Sequence, residues 1–183
     1  MRLVVLDRDG VINEERDEPI TEPDDWIPIK GSLEAIARLS QAGWIVAVAT
    51  NQSGIARGKL DIDTLHRIHR RMQEQVSQAG GRIEVIAFCP HSESDQCDCR
   101  KPAPGMLYSL SERLDADLGN VVSVGDSLRD TQAAMAAAAR PFMVRTGKGQ
   151  QTLDNNKGLE HVPAFDDLAA CVDHLLMPTD DDG

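Results

Sequence analysis

The strongest constraint on the fold is a regular alternation between short apolar runs and longer segments with helical spacing. The runs are rich in β-branched residues and do not alternate with polar ones, which predicts strands buried on both faces. The predicted strands are Leu3–Leu6, Trp44–Ala49, Ile83–Phe88, Val121–Val124 and Phe142–Val144. The predicted helices are Ser32–Ala42, Ile62–Ala79, Gly105–Leu114, Ser127–Ala138 and Asp166–Leu176. This order predicts an α/β fold, a doubly wound, Rossmann-like parallel sheet flanked by helices.

The length of 183 residues favours a single domain, which we place at residues 1–177. Two stretches between the predicted elements are irregular, Glu14–Lys30 and residues 89–104, because both are rich in proline and acids. Neither is long enough to be an inserted domain, so we expect a capless fold with no second domain. The acidic residues 178–183 are predicted to form a disordered tail.

The charge balance excludes several classes of partner. The formal net charge is -11, so we expect neither nucleic acid nor a membrane surface to be bound. There is no apolar run of about 20 residues and no secretory leader pattern, so we expect a cytoplasmic protein. An anionic substrate would need positive charge supplied locally in its site.

Polar side chains follow four of the predicted strands. Asp7 and Asp9 follow the first, Thr50 the second, Lys101 comes after the third, and Asp126 follows the fourth. Parallel strands bring such residues to one edge of the sheet, where α/β proteins bind ligands.

This set of side chains is suited to phosphoryl transfer. One carboxylate can attack phosphorus and a second can protonate the leaving alkoxide and deprotonate water. Acids packed this closely predict a hard divalent cation such as Mg²⁺ between them. Lys101 and Thr50 can stabilise the non-bridging oxygens. A solvated acidic turn is the common alternative for any isolated Asp-x-Asp pair.

Four motifs in this order, DRDGVIN, VATNQSG, RKPAPGM and VGDSLRD, resemble those of the haloacid-dehalogenase (HAD) phosphatase superfamily over about residues 1–149. The resemblance implies that Asp7 is the nucleophile and Asp9 the general acid/base. It implies that Thr50 and Lys101 hold the phosphoryl group.

The same resemblance implies a magnesium site. Its ligands would be Asp7, the backbone carbonyl of Asp9, and Asp126, while Asp130 would orient the metal shell. Response-regulator receiver domains use similar parts, so a non-catalytic phospho-binding module is the alternative from another class. Receivers place the phosphorylated aspartate two strands after an acidic pair, whereas here Asp-x-Asp comes first.

A cysteine cluster precedes Lys101. Cys89, His91, Cys97 and Cys99 fall within eleven positions and can supply a tetrahedral Cys₃His zinc site. All four positions are filled by protein, which predicts a structural zinc that staples this loop. Unpaired thiols in a loop are the alternative.

A zinc loop before the Arg-Lys-Pro motif resembles the histidinol-phosphate and heptose-bisphosphate phosphatases within the HAD superfamily. TNQSGIARG and CDCRKPAPGM are most similar to the D-glycero-D-manno-heptose 1,7-bisphosphate 7-phosphatases, which implies a role in ADP-heptose and lipopolysaccharide core synthesis. Histidinol-phosphate phosphatase is the alternative within the class. The resemblance also implies a monomer acting on a small phosphorylated sugar.

The resemblance further implies a set of substrate contacts. The residues concerned are Asn51, Gln52, Ser53, Arg57 and Arg100, and with less weight Glu15, Arg16, Asp17 and Glu18. Arg100 would read a second phosphate or sugar hydroxyls.

Two other features receive structural interpretations. His66 and His69, one helical turn apart, are interpreted as part of a solvated helix face. Gly147-Lys148-Gly149 is interpreted as a plain turn after the fifth strand.

Overall fold

The computed structural model, which describes residues 1–178, contains one sheet of six strands in the order β3-β2-β1-β4-β5-β6. Every neighbouring pair is parallel. The strands are β1 Leu3–Leu6, β2 Ile45–Asn51, β3 Val85–Cys89, β4 Val122–Gly125, β5 Arg140–Val144 and β6 Ala164–Phe165. The order reverses between β1 and β4, so the predicted doubly wound α/β fold is confirmed and its ligand-binding crevice lies at the ends of these two strands.

Six α-helices accompany the strands: α1 Ser32–Gln41, α2 Ile62–Gln78, α3 Gly105–Leu114, α4 Leu128–Ala136, α5 Gly149–Asn155 and α6 Leu168–Leu175. Side chains cap the helices at which the chain turns sharply. The Asp61 carboxylate accepts from the Thr64 N–H at the start of α2. Ser127 and Asp130 form a reciprocal capping box on α4. Both caps satisfy backbone donors that the first turn leaves free.

The strands are buried on both faces. Val4 and Leu6 of β1 belong to a larger apolar cluster on one side of the sheet. Leu3 and Val5 belong to a second cluster on the other side. The continuous apolar pattern of the sequence therefore reflects two packed layers rather than one solvated face.

Two elements were missed by the sequence analysis, β6 and α5. Strand β6 has only two residues, so it leaves no pattern. Helix α5 begins at Gly149, inside the segment predicted as a plain turn, and only Gly149 and Thr152 of it are buried. It lacks the apolar stripe by which the other helices were identified. The other boundaries differ from the prediction by one or two residues.

The irregular stretch 14–30 is anchored by its own apolar side chains. Ile20 and Trp26 are buried in the larger cluster, and residues Pro23–Asp25 form one turn of 3₁₀ helix. A second 3₁₀ turn, Glu93–Asp95, lies in the cysteine-rich loop. A third, Leu118–Asn120, precedes β4.

Among residues 1–178, no helix combines the length and the apolar character that crossing a membrane requires. The predicted disordered tail, residues 178–183, lies outside the described residues from position 179 onward.

Candidate active site

A polar cleft lies over the carboxyl ends of β1, β2 and β4. It is lined by most of the predicted site residues: Asp7, Asp9, Glu15, Arg16, Asp17, Asn51, Gln52, Ser53, Arg57, Arg100, Lys101, Asp126 and Asp130. Thr50 is buried as the penultimate residue of β2 rather than following the strand. Glu18 points elsewhere, since its carboxylate accepts from Lys59 Nζ at 2.6 Å.

A buried ammonium group lies at the floor of the cleft. Lys101 Nζ donates to Asp7 Oδ1 at 3.0 Å and to Asp130 Oδ1 at 2.6 Å. It also donates to the Ala49 carbonyl at 2.8 Å. Burial alone would lower the Lys101 pKa, but the charges of Asp130 and Asp7 outweigh it and raise that pKa. Lys101 is therefore a fixed cation whose three donors are all engaged.

Hydrogen bonds fix the Lys101 backbone as well as its side chain. The Asn51 amide donates to the Lys101 carbonyl and accepts from the Lys101 N–H, both at 3.0 Å. Asn51 was predicted to contact substrate, and the structure uses its amide to dock the loop that carries Lys101.

Asp7, Asp126 and Asp130 bring carboxylate oxygens within 4.8 Å of one another. Asp130 is saturated, since its Oδ2 accepts from the Asp126 N–H at 3.2 Å and from the Ser127 hydroxyl at 2.7 Å. Within residues 1–178, Asp7 Oδ2 and Asp126 Oδ1 accept no hydrogen bond, because the donors to these two acids all bind the other oxygen. The acid cluster therefore faces the cleft through these two residues.

The pKa values of the cluster show that its buried carboxyl groups are difficult to ionise together. Burial, followed by the negative charge of Asp130, raises the pKa of Asp7 well above its ordinary value. The same two causes raise the pKa of Asp126 to about 7. Two buried carboxyls that resist ionisation are a fitting pair of ligands for a hard divalent cation, which would stabilise both charges.

Gly10 permits this close packing. Its φ is +85°, and a Cβ at this position would overlap the Asp126 carboxylate. The glycine of the first motif is thus required by both backbone conformation and space.

Asp9 lies apart from the acid cluster and is held by donors. Its Oδ1 accepts from Arg8 NH2 and from Asn13 Nδ2, both at 2.9 Å. Its Oδ2 accepts from Gln52 Nε2 at 3.2 Å. Burial would raise the pKa of Asp9, but the Arg8 charge and these hydrogen bonds outweigh it and lower the pKa. Asp9 is thus a carboxylate whose orientation is fixed by its donors and not by the acid cluster.

The cysteine cluster is assembled as the spacing predicted. The Sγ atoms of Cys97 and Cys99 lie 3.6 Å apart, and each lies near Cys89 Sγ, at 3.6 and 3.1 Å. His91 Nδ1 lies 3.5 Å from Cys89 Sγ and 3.3 Å from Cys99 Sγ. Tetrahedral zinc with ~2.3 Å Zn–S bonds places sulfurs about 3.8 Å apart, so the four groups fit a zinc ion.

Three residues near the site were missed by the sequence analysis. His69 was interpreted as solvated, but it is buried and its Nε2 lies 3.1 Å from Arg8 NH1. Lys148 lines the cleft, and its Nζ pairs with Glu15 Oε1 at 3.1 Å. The third residue is Arg8, which is buried. The one sequence signal for its role was its position between the two aspartates at the end of a core strand.

Comparison with known proteins is consistent with this geometry. The family model described as HAD-hydrolase-like matches residues 98–171. A Bordetella bronchiseptica protein named D-glycero-beta-D-manno-heptose-1,7-bisphosphate 7-phosphatase is 49% identical over 97% of this chain and 99% of its own. A Pseudomonas aeruginosa protein of the same name is 54% identical over 96% of this chain and 98% of its own.

A solved structure is also similar. The crystal structure of D,D-heptose 1,7-bisphosphate phosphatase from B. bronchiseptica, complexed with magnesium and phosphate, superposes with a TM-score of 0.93. It is 49% identical and covers 96% of this chain and 98% of that one. At this identity and coverage, the chain belongs to the family of HAD-like hydrolases that contains the D-glycero-beta-D-manno-heptose-1,7-bisphosphate 7-phosphatases.

Proposed function

We propose that this protein is a Mg²⁺-dependent phosphatase that removes the 7-phosphate of D-glycero-D-manno-heptose 1,7-bisphosphate, in the supply of ADP-heptose for lipopolysaccharide core. The observation that carries the proposal is the cleft in which the Lys101 ammonium, 3.0 Å from Asp7, meets the acid cluster. Relatives of that name, similar over nearly the whole chain, support the choice of substrate.

The proposed reaction has two steps. An Asp7 carboxylate oxygen attacks phosphorus, the P–O bond to the sugar breaks, and Asp9 gives its proton to the departing alkoxide. Water then attacks the aspartyl-phosphate, Asp9 takes a proton from that water, and inorganic phosphate leaves with Asp7 restored. Lys101 and the Thr50 hydroxyl stabilise the transferring oxygens in both steps.

Asp7, Asp126 and the backbone carbonyl of Asp9 are the proposed magnesium ligands, with Asp130 behind them. When bound, the cation supplies charge neutralisation for the carboxylates and the phosphoryl oxygens. Asp130 itself serves Lys101 and the capping of α4, which supports an orienting role.

Cys89, His91, Cys97 and Cys99 are the proposed ligands of a structural zinc. The ion would tie the loop after β3 to the end of that strand, where Cys89 lies. Arg100 follows at once, and its N–H donates to Cys97 Sγ at 3.4 Å. The zinc loop thereby presents Arg100 to the cleft.

The second phosphate needs a cationic partner because the chain carries a net charge of -11. Among residues 1–178, the Arg100 NH1 atom is buried without a hydrogen-bond partner. A buried guanidinium nitrogen of this kind favours an anionic ligand. We propose that Arg100 binds the second phosphate. Ser53 and Arg57 would lie at the cleft entrance, and Glu15, Arg16 and Asp17 would face the sugar hydroxyls.

We propose further that the protein acts as a cytoplasmic monomer and that residues 1–177 form one catalytic domain.

Substrate preference tests the proposed function directly. We expect kcat/KM for the heptose 1,7-bisphosphate to exceed that for histidinol phosphate by at least about a hundredfold, because only the former has a second phosphate for Arg100. Released phosphate is assayed with Mg²⁺, and ³¹P NMR identifies the phosphate that remains at C1. Faster turnover of histidinol phosphate would assign the chain to the other activity of its group.

The Asp9→Asn variant tests the proton-transfer role. We expect kcat to fall by about 10²–10⁴-fold, because an amide can neither protonate the alkoxide nor accept a proton from water. Mg²⁺ binding should persist, since Asp9 would contact the metal through its backbone. Asp7→Asn serves as the matched variant and should lose turnover and phosphoenzyme together. Wild-type turnover by Asp9→Asn would remove Asp9 from the mechanism.

The Asp126→Asn variant tests the electrostatics of the acid cluster. The folded-state pKa of Asp126 is raised to about 7 from an ordinary 3.8, so the chelator-treated protein should lose stability as pH rises from about 4 through 7. The variant lacks this ionisation. At pH 8 its free energy of unfolding should exceed that of metal-free wild type by on the order of 2 kcal/mol.

Urea denaturation at pH 5 and pH 8 measures this difference, with the exposed Asp63→Asn variant as control. Isothermal titration should show tighter Mg²⁺ binding by wild type as pH rises to 7, because protons compete for the same oxygens, and no binding by Asp126→Asn. A variant less stable than metal-free wild type at pH 8 would contradict the proposed repulsion.

Zinc removal tests the structural role of the cysteine cluster. We expect a strong chelator to lower Tm by at least about 10 °C, because zinc-binding energy contributes directly to folding. Elemental analysis should find one zinc per chain in wild type and in Cys171→Ala, whose thiol is buried away from the cluster, but none in Cys97→Ser. An unchanged Tm after complete zinc removal would refute the stapling role.

A further inference from the structure

A buried arginine lies between the two aspartates of the first motif. The Arg8 side chain is only 1% exposed. Its Nε and NH2 atoms donate to Asp9 Oδ1 at 3.1 and 2.9 Å. Two donors from one planar group fix the orientation of a carboxylate oxygen as well as its charge.

His69 of α2 accepts a hydrogen bond from the remaining guanidinium nitrogen of Arg8. Its Nε2 lies 3.1 Å from Arg8 NH1. An arginine nitrogen can only donate, so Nε2 accepts and the ring proton resides on Nδ1. Burial, together with the adjacent Arg8 charge, lowers the pKa of His69 to about 3, which keeps the ring a neutral acceptor at physiological pH.

His69 belongs to the buried face of α2, and its ring also lines a surface groove with other side chains of that helix and with Phe88. The other buried residues of α2 are Leu65, Ile68, Met72 and Val76. The Phe88 ring lies 6.4 Å away, and the charged or titratable groups that face the imidazole are Arg8, Asp9 and His66. A polar side chain on this apolar stripe is accounted for by its contact with Arg8.

We propose that His69 is a positioning residue for the general acid/base of this enzyme. By holding NH1 of Arg8, the imidazole fixes the guanidinium plane, and the guanidinium fixes the carboxylate of Asp9 in the cleft. Gln52, which donates to Asp9 Oδ2, restrains the opposite oxygen. The inference rests on the proposed phosphatase activity but not on the identity of the sugar.

Leaving-group dependence tests this role in the metal-loaded protein. With glycerol 2-phosphate, whose alkoxide needs a proton, His69→Leu should lower kcat/KM by about tenfold, a part of the 10²–10⁴-fold that a general acid contributes. With p-nitrophenyl phosphate, whose phenolate leaves unprotonated, kcat/KM should change by less than about twofold. His69→Gln, which keeps an acceptor near the Nε2 position, should restore the glycerol 2-phosphate value to within about twofold of wild type.

The exposed His66→Leu variant, on the same helix, is the matched control and should leave both rates unchanged. If His69→Leu lowers kcat/KM equally for both esters, or for neither, the positioning role of His69 is overturned but the proposed function is not. A wild-type protein that hydrolyses neither these esters nor the heptose 1,7-bisphosphate contradicts the proposed function, and the inference falls with it.

A double-mutant cycle shows whether His69 acts through Asp9. In an Asp9→Asn background, His69→Leu should cause no further change in the ratio of the two kcat/KM values, because the group that it positions is already removed. An undiminished effect in that background overturns the proposal.

Wild-type NMR provides a test that is independent of any variant's folding. Long-range ¹H–¹⁵N correlation of the His69 ring at pH 7 should show an unprotonated Nε2 and a protonated Nδ1. The opposite tautomer would mean that His69 cannot accept from Arg8, and the proposal would be abandoned.

Discussion

The site depends on the buried ammonium of Lys101. Without a cation at this place, Asp7, Asp126 and Asp130 would oppose one another in a region that water screens poorly. The ammonium engages Asp7 and Asp130 at 3.0 and 2.6 Å, which leaves Asp126 and the outer oxygen of Asp7 as the strained pair. Burial, followed by the negative charge of Asp130, raises the pKa values of these two acids, and the Lys101 charge only partly opposes that rise. The Lys101 charge therefore compensates one oxygen each of Asp7 and Asp130. Asp126 and the other oxygen of Asp7 are the groups that a metal would stabilise.

The architecture and the polar groups that line the cleft could be predicted because both follow from the order of segments along the chain. Each apolar run marks a strand, and each strand end carries one kind of polar group, so the parallel sheet assembles the cleft without further information. The resemblance to HAD phosphatases, read from the four motifs, is confirmed by relatives about half identical over nearly the full chain. The roles of the individual site residues stay predictions.

The internal supports of the site could not be predicted. Arg8 and His69 are 61 positions apart, and each belongs to a residue type that usually faces solvent. The fold brings α2 beside the loop that follows β1, and the two side chains meet there. Asn51 and Gln52 show the converse: the sequence places polar groups after a strand, but it does not say whether their amides face the cleft or the protein. Here both amides make internal hydrogen bonds.

The paired hydrogen bonds between the Asn51 side chain and the Lys101 backbone have a consequence for how this fold can diversify. A primary amide that donates to the carbonyl and accepts from the N–H of the same residue resembles a hydrogen-bonded pair of an antiparallel ladder. The cysteine-rich loop is thus joined to the sheet as though it were a short additional strand, at the residue whose ammonium lies at the floor of the cleft. Residues 92–96, which lie between His91 and Cys97, can therefore vary in size and charge while the Lys101 ammonium keeps its place.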